Sequence, residues 1–412
     1  MTTTAFALDK GQREYCAWVR SVAAERLLPL AHGAAEAAEG EAGGDAGRVN
    51  RPLLEEMGRL GLLARLFPGI GSAAGADGGL RQAAALDLCL LRESLAQVCT
   101  EAETALALQG LGAYPVLQSG TEAQIARWLP EVAAGRAVAA FALSEPGAGS
   151  DAGELALAAE PQDGQGAGGW LLHGEKCWIS NAPEADFYTV FARTGPESGA
   201  RGVTAFLVPA DRPGLTGERL DMISPHPIGR LLFDGVPVGP EDVLGEVGRG
   251  FRVAMRTLDL FRPSVGAFAV GMAQAALDAA VAHAGSRQAF GGPLRDLQAV
   301  GHRLAEMATR TEAARLLVLS AASAYDAQQA EGGGDGARVT GLDGPTARAA
   351  MAKLFATEAA QYVVDSAVQI HGARALQRGH LLEQLYREVR APRIYEGASE
   401  VQLSIIAREL YA

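Results

Sequence analysis

Apolar residues recur at helical spacing from about residue 10 to 135, broken by short loops, so the first third of the chain is predicted to be mostly helical. Asn50 and Pro52 supply a helix start ahead of LLEEMGRLGLLARLF. Thr121 and Gln124 have the spacing of a capping box for a helix running through Trp128. Between about Val138 and Val247 the pattern changes to WLLHGEKCWIS, DFYTVFART, GVTAFLVPA and GRLLFDGVPV. These short β-branched and aromatic segments, separated by Gly, Pro and Asp, predict a small β domain. No helical runs alternate with them, which argues against a doubly wound parallel sheet. From Gly248 onward long helical periods return, as expected of antiparallel helices in a bundle.

Two interruptions read as loops: Gly33 to Gly47 is expected to be a mobile surface loop, and Glu331 to Pro345 to be disordered at its tip. The most apolar stretch, Val265 to Gly285, is broken by Asp278 and His283 and reads as a tightly packed core helix rather than a membrane span. The N-terminus lacks the basic and apolar regions of a signal peptide.

Composition narrows the choice of partners. Of 412 residues 48% are hydrophobic and 20% charged, a globular balance for two or three domains. The net charge of -12 disfavours extended nucleic-acid binding. Cys16, Cys89, Cys99 and Cys177 form no metal or redox motif and no disulfide framework, so a reducing cytoplasm is expected and no metal site.

Several segments carry chemistry. GIGSAAG at Gly69 and GAGSDAG at Gly147 lack the spacing and context of a dinucleotide fingerprint. In FALSEPGAGSD (Phe141 to Asp151), Pro146 biases Glu145 towards extended geometry. Gly147 and Gly149 would let a ligand approach backbone amides, and Ser144 and Ser150 add hydroxyls; on local chemistry alone an ordinary turn entering a strand is the commoner case. In KCWISN, strand period puts Trp178 and Ser180 on one face and Cys177 and Ile179 on the other, so Trp178 is either core packing or a platform for a planar heterocycle. In RIYEG (Arg393 to Gly397), Glu396 lies just ahead of a last helix for which Ser399 and Gln402 have capping-box spacing. It is either a solvated carboxylate or, if burial outweighs the helix N-terminus, a base.

In this order LSEPGAGSD, KCWISNA, RQAFGGPLRDLQAVGHRLAEM, QIHGARAL and REVRAPRIYEGASEVQ resemble the acyl-CoA dehydrogenase family, over nearly the whole chain from Glu14 to Tyr411. The resemblance implies an α+β fold with an N-terminal α-helical domain (1–136), a middle β-barrel domain (137–247) and a C-terminal four-helix bundle (248–412). It implies FAD, with Phe141, Leu143, Ser144, Gly149 and Ser150 lining the flavin and Trp178, Ile179 and Ser180 at its ring system. Arg287, Phe290, Gln298, Gln369 and Gly372 are expected to grip the diphosphate and adenosine of a neighbouring subunit's FAD, in a homodimer or homotetramer, with Ala398 and Glu400 completing the cofactor contacts.

For the substrate, the resemblance implies that Asp259, Arg262, Gly397 and Ser150 contact an acyl-CoA, the alternative for Arg262 being one half of a structural ion pair. Glu396 matches the α-proton acceptor, the product being the trans-2-enoyl thioester and an electron-transfer flavoprotein the acceptor of the electrons. Alternatives within the fold are an acyl-carrier-protein thioester as substrate or oxygen as acceptor, and outside it a catalytically silent flavin scaffold. The sequence departs from the family pattern at Ala373, Ala375 and Ala398, the first two adding methyl groups where the diphosphate is expected. Glu103 and Thr104 lie on the helix expected to border the acyl pocket, with Glu103 expected at the surface.

Overall fold

A computed structural model of the chain describes residues 8–39, 48–70, 84–162, 168–195, 199–224, 226–330 and 340–412, with the backbone alone over 34–39. Helices α1 (Lys10–Val22), α2 (Leu28–Glu39), α3 (Arg51–Arg59), α4 (Ala85–Ala96), α5 (Thr100–Ser119) and α6 (Glu122–Ala133) come first. Strands β1 (Ala139–Ala142), β2 (Ala158–Pro161), β3 (Trp170–Ser180), β4 (Phe187–Arg193), β5 (Val203–Pro209), β6 (Leu215–Arg219) and β7 (Ile228–Val238) follow. Then come α7 (Gly250–Ser286), a hairpin of β8 (Gln288–Ala289) and β9 (Gly292–Pro293), α8 (Gln298–Ala330), α9 (Pro345–His371), α10 (Leu381–Glu388) and α11 (Ser399–Glu409). The helix, strand, helix order is the one expected.

The described residues fall into two compact units: one within Met1–Glu25, Ala84–Glu103 and Asp259–Ala412, the other within Arg26–Ala83 and Thr104–Leu258. In the first unit α8 packs on α9, α9 on α10 and α11, and α4 on α1 and α8. Among the described residues α7 is the one helix long and apolar enough to cross a membrane, yet 72% of its most apolar window is buried, as a core helix requires. A Cβ on Gly271 would lie 2.5 Å from the Glu93 carbonyl oxygen and 2.6 Å from Ala96 Cβ, so glycine permits the close approach of α7 to α4.

The second unit is organised by a seven-stranded sheet ordered β1-β4-β2-β3-β7-β6, with β5 also paired to β4. The pairings β3–β7, β6–β7, β4–β5 and β2–β3 are antiparallel, whereas β1 and β2 run parallel to β4. Every residue of β5 and all but the last of β4 are buried, which is why these strands read as apolar runs without alternation.

Local signals set the helix starts. The Asn50 side chain accepts from Leu53 N with Pro52 in the first turn of α3, and Thr121 and Gln124 form the expected reciprocal box at α6. The loop expected from Gly33 begins later, because α2 continues through Glu39 on a run of Ala and Glu, both good helix formers. The remainder of that loop, the Glu331 tip and GIGSAAG beyond Ile70 lie outside the described residues. All four cysteines are free and buried.

Candidate active site

The turn before α11 departs from the expected capping box. Ala398 is the N-cap and offers no side-chain bond. Ser399 Oγ instead donates to Glu358 Oε1 at 2.7 Å, and the fully buried Gln402 turns its Nε2 to the carbonyl oxygens of Gly397 (2.9 Å) and Glu396 (3.3 Å). A third donor comes from α9, where Lys353 Nζ reaches the Gly397 carbonyl at 2.5 Å. These bonds hold two consecutive left-handed residues, Glu396 at φ 51° and Gly397 at φ 93°. For a glutamate that conformation is strained, and strain of this kind persists where surrounding contacts over-determine it.

Glu396 Oε2 is sealed from solvent and has no hydrogen-bond partner. Burial pushes the carboxyl pKa up, while the charges of Arg92, Lys353 and Arg262 pull against that rise. The result is a carboxylate more basic than usual, steadied in its charged form by three cations, with an open lone pair. That is what a proton acceptor needs.

Arg92 brings the main correction. Glu103, expected at the surface, is 0% exposed and forms an ion pair with Arg92 Nε, while Arg92 Nη1 donates to Ser264 Oγ at 2.6 Å. Arg262 is also buried, and its Nη1 bonds Asp259 Oδ1 at 3.0 Å, so the ion pair weighed from the sequence does form; its Nε is left without a partner. The sequence carries only a weak signal for the other two cations: Lys353 is a lone charge in the apolar run AAMAKLFAT, whereas Arg92 lies between Asp87 and Glu93 in ALDLCLLRESLA.

In the second unit the FALSEPGAGSD and KCWISN segments meet. Cys177 N donates to the Ser144 carbonyl at 3.0 Å, and the buried Lys176 Nζ bonds the Leu143 carbonyl (2.9 Å) and Glu145 Oε1 (2.7 Å). Glu145 also accepts from the amides of Ala156 and Leu157. Glu145 and Ala148 exchange both backbone bonds around Pro146 and Gly147. At Gly147 and Gly149 a Cβ would meet nothing within 4 Å and φ is not left-handed, so neither packing nor backbone geometry explains a glycine. The open space above them leaves room for a ligand to approach the backbone. Ser144 is half-buried, and Gly149 and Ser150 are exposed.

β3 bulges between Lys176 and Ile179, where Trp178 adopts φ 57°. The bulge turns Trp178 outward, 47% exposed, so the core-packing alternative fails. Ile179 is buried, leaving only its main chain for a ligand, and Ser180 is half-buried; Phe141 packs on Phe191 with ring centroids 4.9 Å apart.

A third cluster lies in the first unit, where Phe290 (φ 53°) and Gly291 (φ 89°) cap the β8–β9 hairpin and Phe290 is 91% exposed. His283 and His371 stack at 4.2 Å, with Arg287 and Arg374 close enough to depress the His283 pKa after burial, so the hairpin and the end of α9 come together. Gln298, Gln369 and Gly372 are exposed there. Ala373 is exposed as expected, but the Ala375 methyl is fully buried in the protein and does not intrude on a ligand. Glu400, in the first turn of α11, is exposed. The β1 and β3 residues thus belong to one unit, and Glu396, Arg262, Arg287 and Gln369 to the other.

In the second unit the exposed aromatic Trp178 and the unexplained glycines suit a planar ring system, and in the first unit, taken by itself, the Arg287–Arg374 cluster suits a diphosphate. Family models for the acyl-CoA dehydrogenase N-terminal, middle and C-terminal domains match residues 9–136, 140–236 and 248–411. The chain is 35% identical over 400 residues to cyclohexane-1-carbonyl-CoA dehydrogenase of Geobacter metallireducens, covering 95% of both. It is 38% identical over 361 residues to the mitochondrial short-chain specific acyl-CoA dehydrogenase of Bos taurus, covering 87% of this chain and 82% of that one. Butyryl-CoA dehydrogenase from Megasphaera elsdenii superposes with a TM-score of 0.84 at 32% identity, covering 99% of this chain and 100% of the other. A structure described as PigA with FAD and proline does so with a TM-score of 0.84 at 25% identity, covering 99% and 100%. FAD is the cofactor, the protein is an oxidoreductase, and the chain belongs to the acyl-CoA dehydrogenase family.

Proposed function

We propose that the protein dehydrogenates an acyl-CoA across its α and β carbons to the trans-2-enoyl-CoA, with Glu396 taking the α-proton. The occluded, unpartnered Glu396 Oε2 among three cations carries this reading. An α-proton of a thioester is weakly acidic, so its removal calls for a desolvated base with a raised pKa. FAD, when bound, supplies the acceptor for the β-hydrogen as hydride at flavin N5. Phe141, Leu143, Ser144, Gly149, Ser150, Trp178, Ile179 and Ser180 would hold the flavin. Arg287, Phe290, Gln298, Gln369, Gly372, Ala398 and Glu400 would contact the remainder of FAD. Asp259, Arg262, Gly397 and Ser150 would touch the substrate.

The three matched segments support functional domains at 1–136, 137–247 and 248–412. The bare Phe290 tip supports a homodimer or homotetramer, and the four free thiols a cytoplasmic setting. An electron-transfer flavoprotein is the proposed acceptor. In Glu396→Gln, turnover of a panel of short, branched, cyclic and aromatic acyl-CoAs is expected to fall by about 10² or more with flavin retained; undiminished turnover overturns the assignment.

A further inference from the structure

Lys353 sits on an alanine-lined stretch of α9, with Ala349, Ala350, Ala352 and Ala356 all buried beside it. A buried ammonium is costly unless an anion pairs with it, and among the described residues no carboxylate lies within ion-pair distance of its Nζ. It spends its hydrogen bond on the Gly397 carbonyl at 2.5 Å. The charges that face it come from several elements: Glu396 in the turn, Arg262 on α7, Glu358 on α9 and Glu400 on α11. Glu396 dominates among them, and Lys353 in turn is one of the three cations acting on Glu396. An uncharged side chain would cost less at this buried position, so the charge calls for a reason beyond packing.

We infer that Lys353 is a positioning residue for the proton acceptor, its ammonium pinning the Glu396–Gly397 turn through the Gly397 carbonyl and holding the Glu396 carboxylate ionised. This rests on the function proposed above. Gln402 shares the first task by donating to the same carbonyl, but being neutral it has no part in the second. Burial draws the Lys353 pKa down to about 8, so the clamp loses its charge as pH rises through that value.

The test is the pH dependence of kcat and KM, with flavin content measured alongside, for the holoenzyme and for Lys353→Met, Lys353→Gln and Glu396→Gln. Lys353→Met is expected to lower kcat on the order of 10- to 100-fold, the cost of a misplaced reacting group, with KM little changed. The acid limb of its kcat/KM profile should move up by about one unit, because a cation near the carboxylate is gone. Lys353→Gln keeps a donor without the charge, so it should regain part of kcat while its acid limb stays shifted. The alkaline fall near pH 8 should vanish in both. Should Lys353→Met fold poorly or lose flavin, Lys353→Gln gives the same reading of the limbs. Wild-type kcat and superimposable profiles in the variants, or a loss confined to KM, overturn the inference. Turnover that depends on Glu396 yet ignores Lys353 removes this inference alone; turnover indifferent to Glu396→Gln removes both.

Discussion

The protein contains two buried carboxylate and lysine arrangements that look alike and are wired differently. Glu145 accepts from Lys176 Nζ on β3 and from the amides of Ala156 and Leu157, so both of its oxygens are engaged in holding the FALSEPGAGSD turn in place. Glu396 faces a lysine as fully buried, but that lysine donates to a carbonyl next door and leaves Oε2 bare. Both lysines are pushed down to about 8 by burial. The contrast is between a carboxylate whose two oxygens are both held by donors and one, proposed above as the proton acceptor, with a sealed and unsatisfied oxygen.

The largest effect that tests this contrast is Glu145→Gln, which strands Lys176 in the interior without its counter-charge. Breaking one side of such a pair costs about 3–5 kcal/mol, read by chemical denaturation; a loss under about 1 kcal/mol would mean that Glu145 is not the anchor. Next comes Gly149→Ala. Its added methyl meets no protein atom and its backbone is unstrained, so stability should hold while FAD affinity, measured by titrating apoprotein, falls about tenfold, or about 1.4 kcal/mol. Equal FAD affinity would show that the glycine is not a cofactor contact.

The smallest effect has the opposite sign. Glu396 has a folded-state pKa above its unfolded value, so the native state binds more protons in that window and stability falls as pH rises from about the ordinary carboxylate value through the raised one. Glu396→Gln removes this penalty and is expected to be more stable than wild type near neutral pH by about 1 kcal/mol, with a flatter dependence on pH in thermal melts. A destabilised Glu396→Gln would place the carboxylate among the structural ones.

How much of this was legible depended on the range of the interactions involved. Thr121 with Gln124 and Asn50 with Pro52 act within one turn, and their spacing alone predicted the caps that form. Ser399 and Gln402 have the same spacing, yet Glu358, 41 residues upstream, takes the Ser399 hydroxyl and the base turn takes the Gln402 amide. Glu103 was misread for a like reason, since its partner Arg92 lies on a different helix and no periodicity pairs α4 with α5. Strand period paired Trp178 with Ser180 on one face without saying whether that face is open, and a bulge that the period does not contain turns Trp178 outward. RIYEG by itself left Glu396 either a solvated carboxylate or a base, and the resemblance to the family singled it out; the cations that act on it come from α4, α7 and α9.

The buried thiols offer a consequence of their own. Cys89 lies on α4 and Cys99 just before α5, on either side of the Arg92 contact, and burial raises both thiols far above the range in which they react. Alkylating reagents should therefore modify them only when that helical corner opens. Pulse labelling followed by mass spectrometry would then time the breathing of the scaffold behind Glu396, with no reporter group added to the chain.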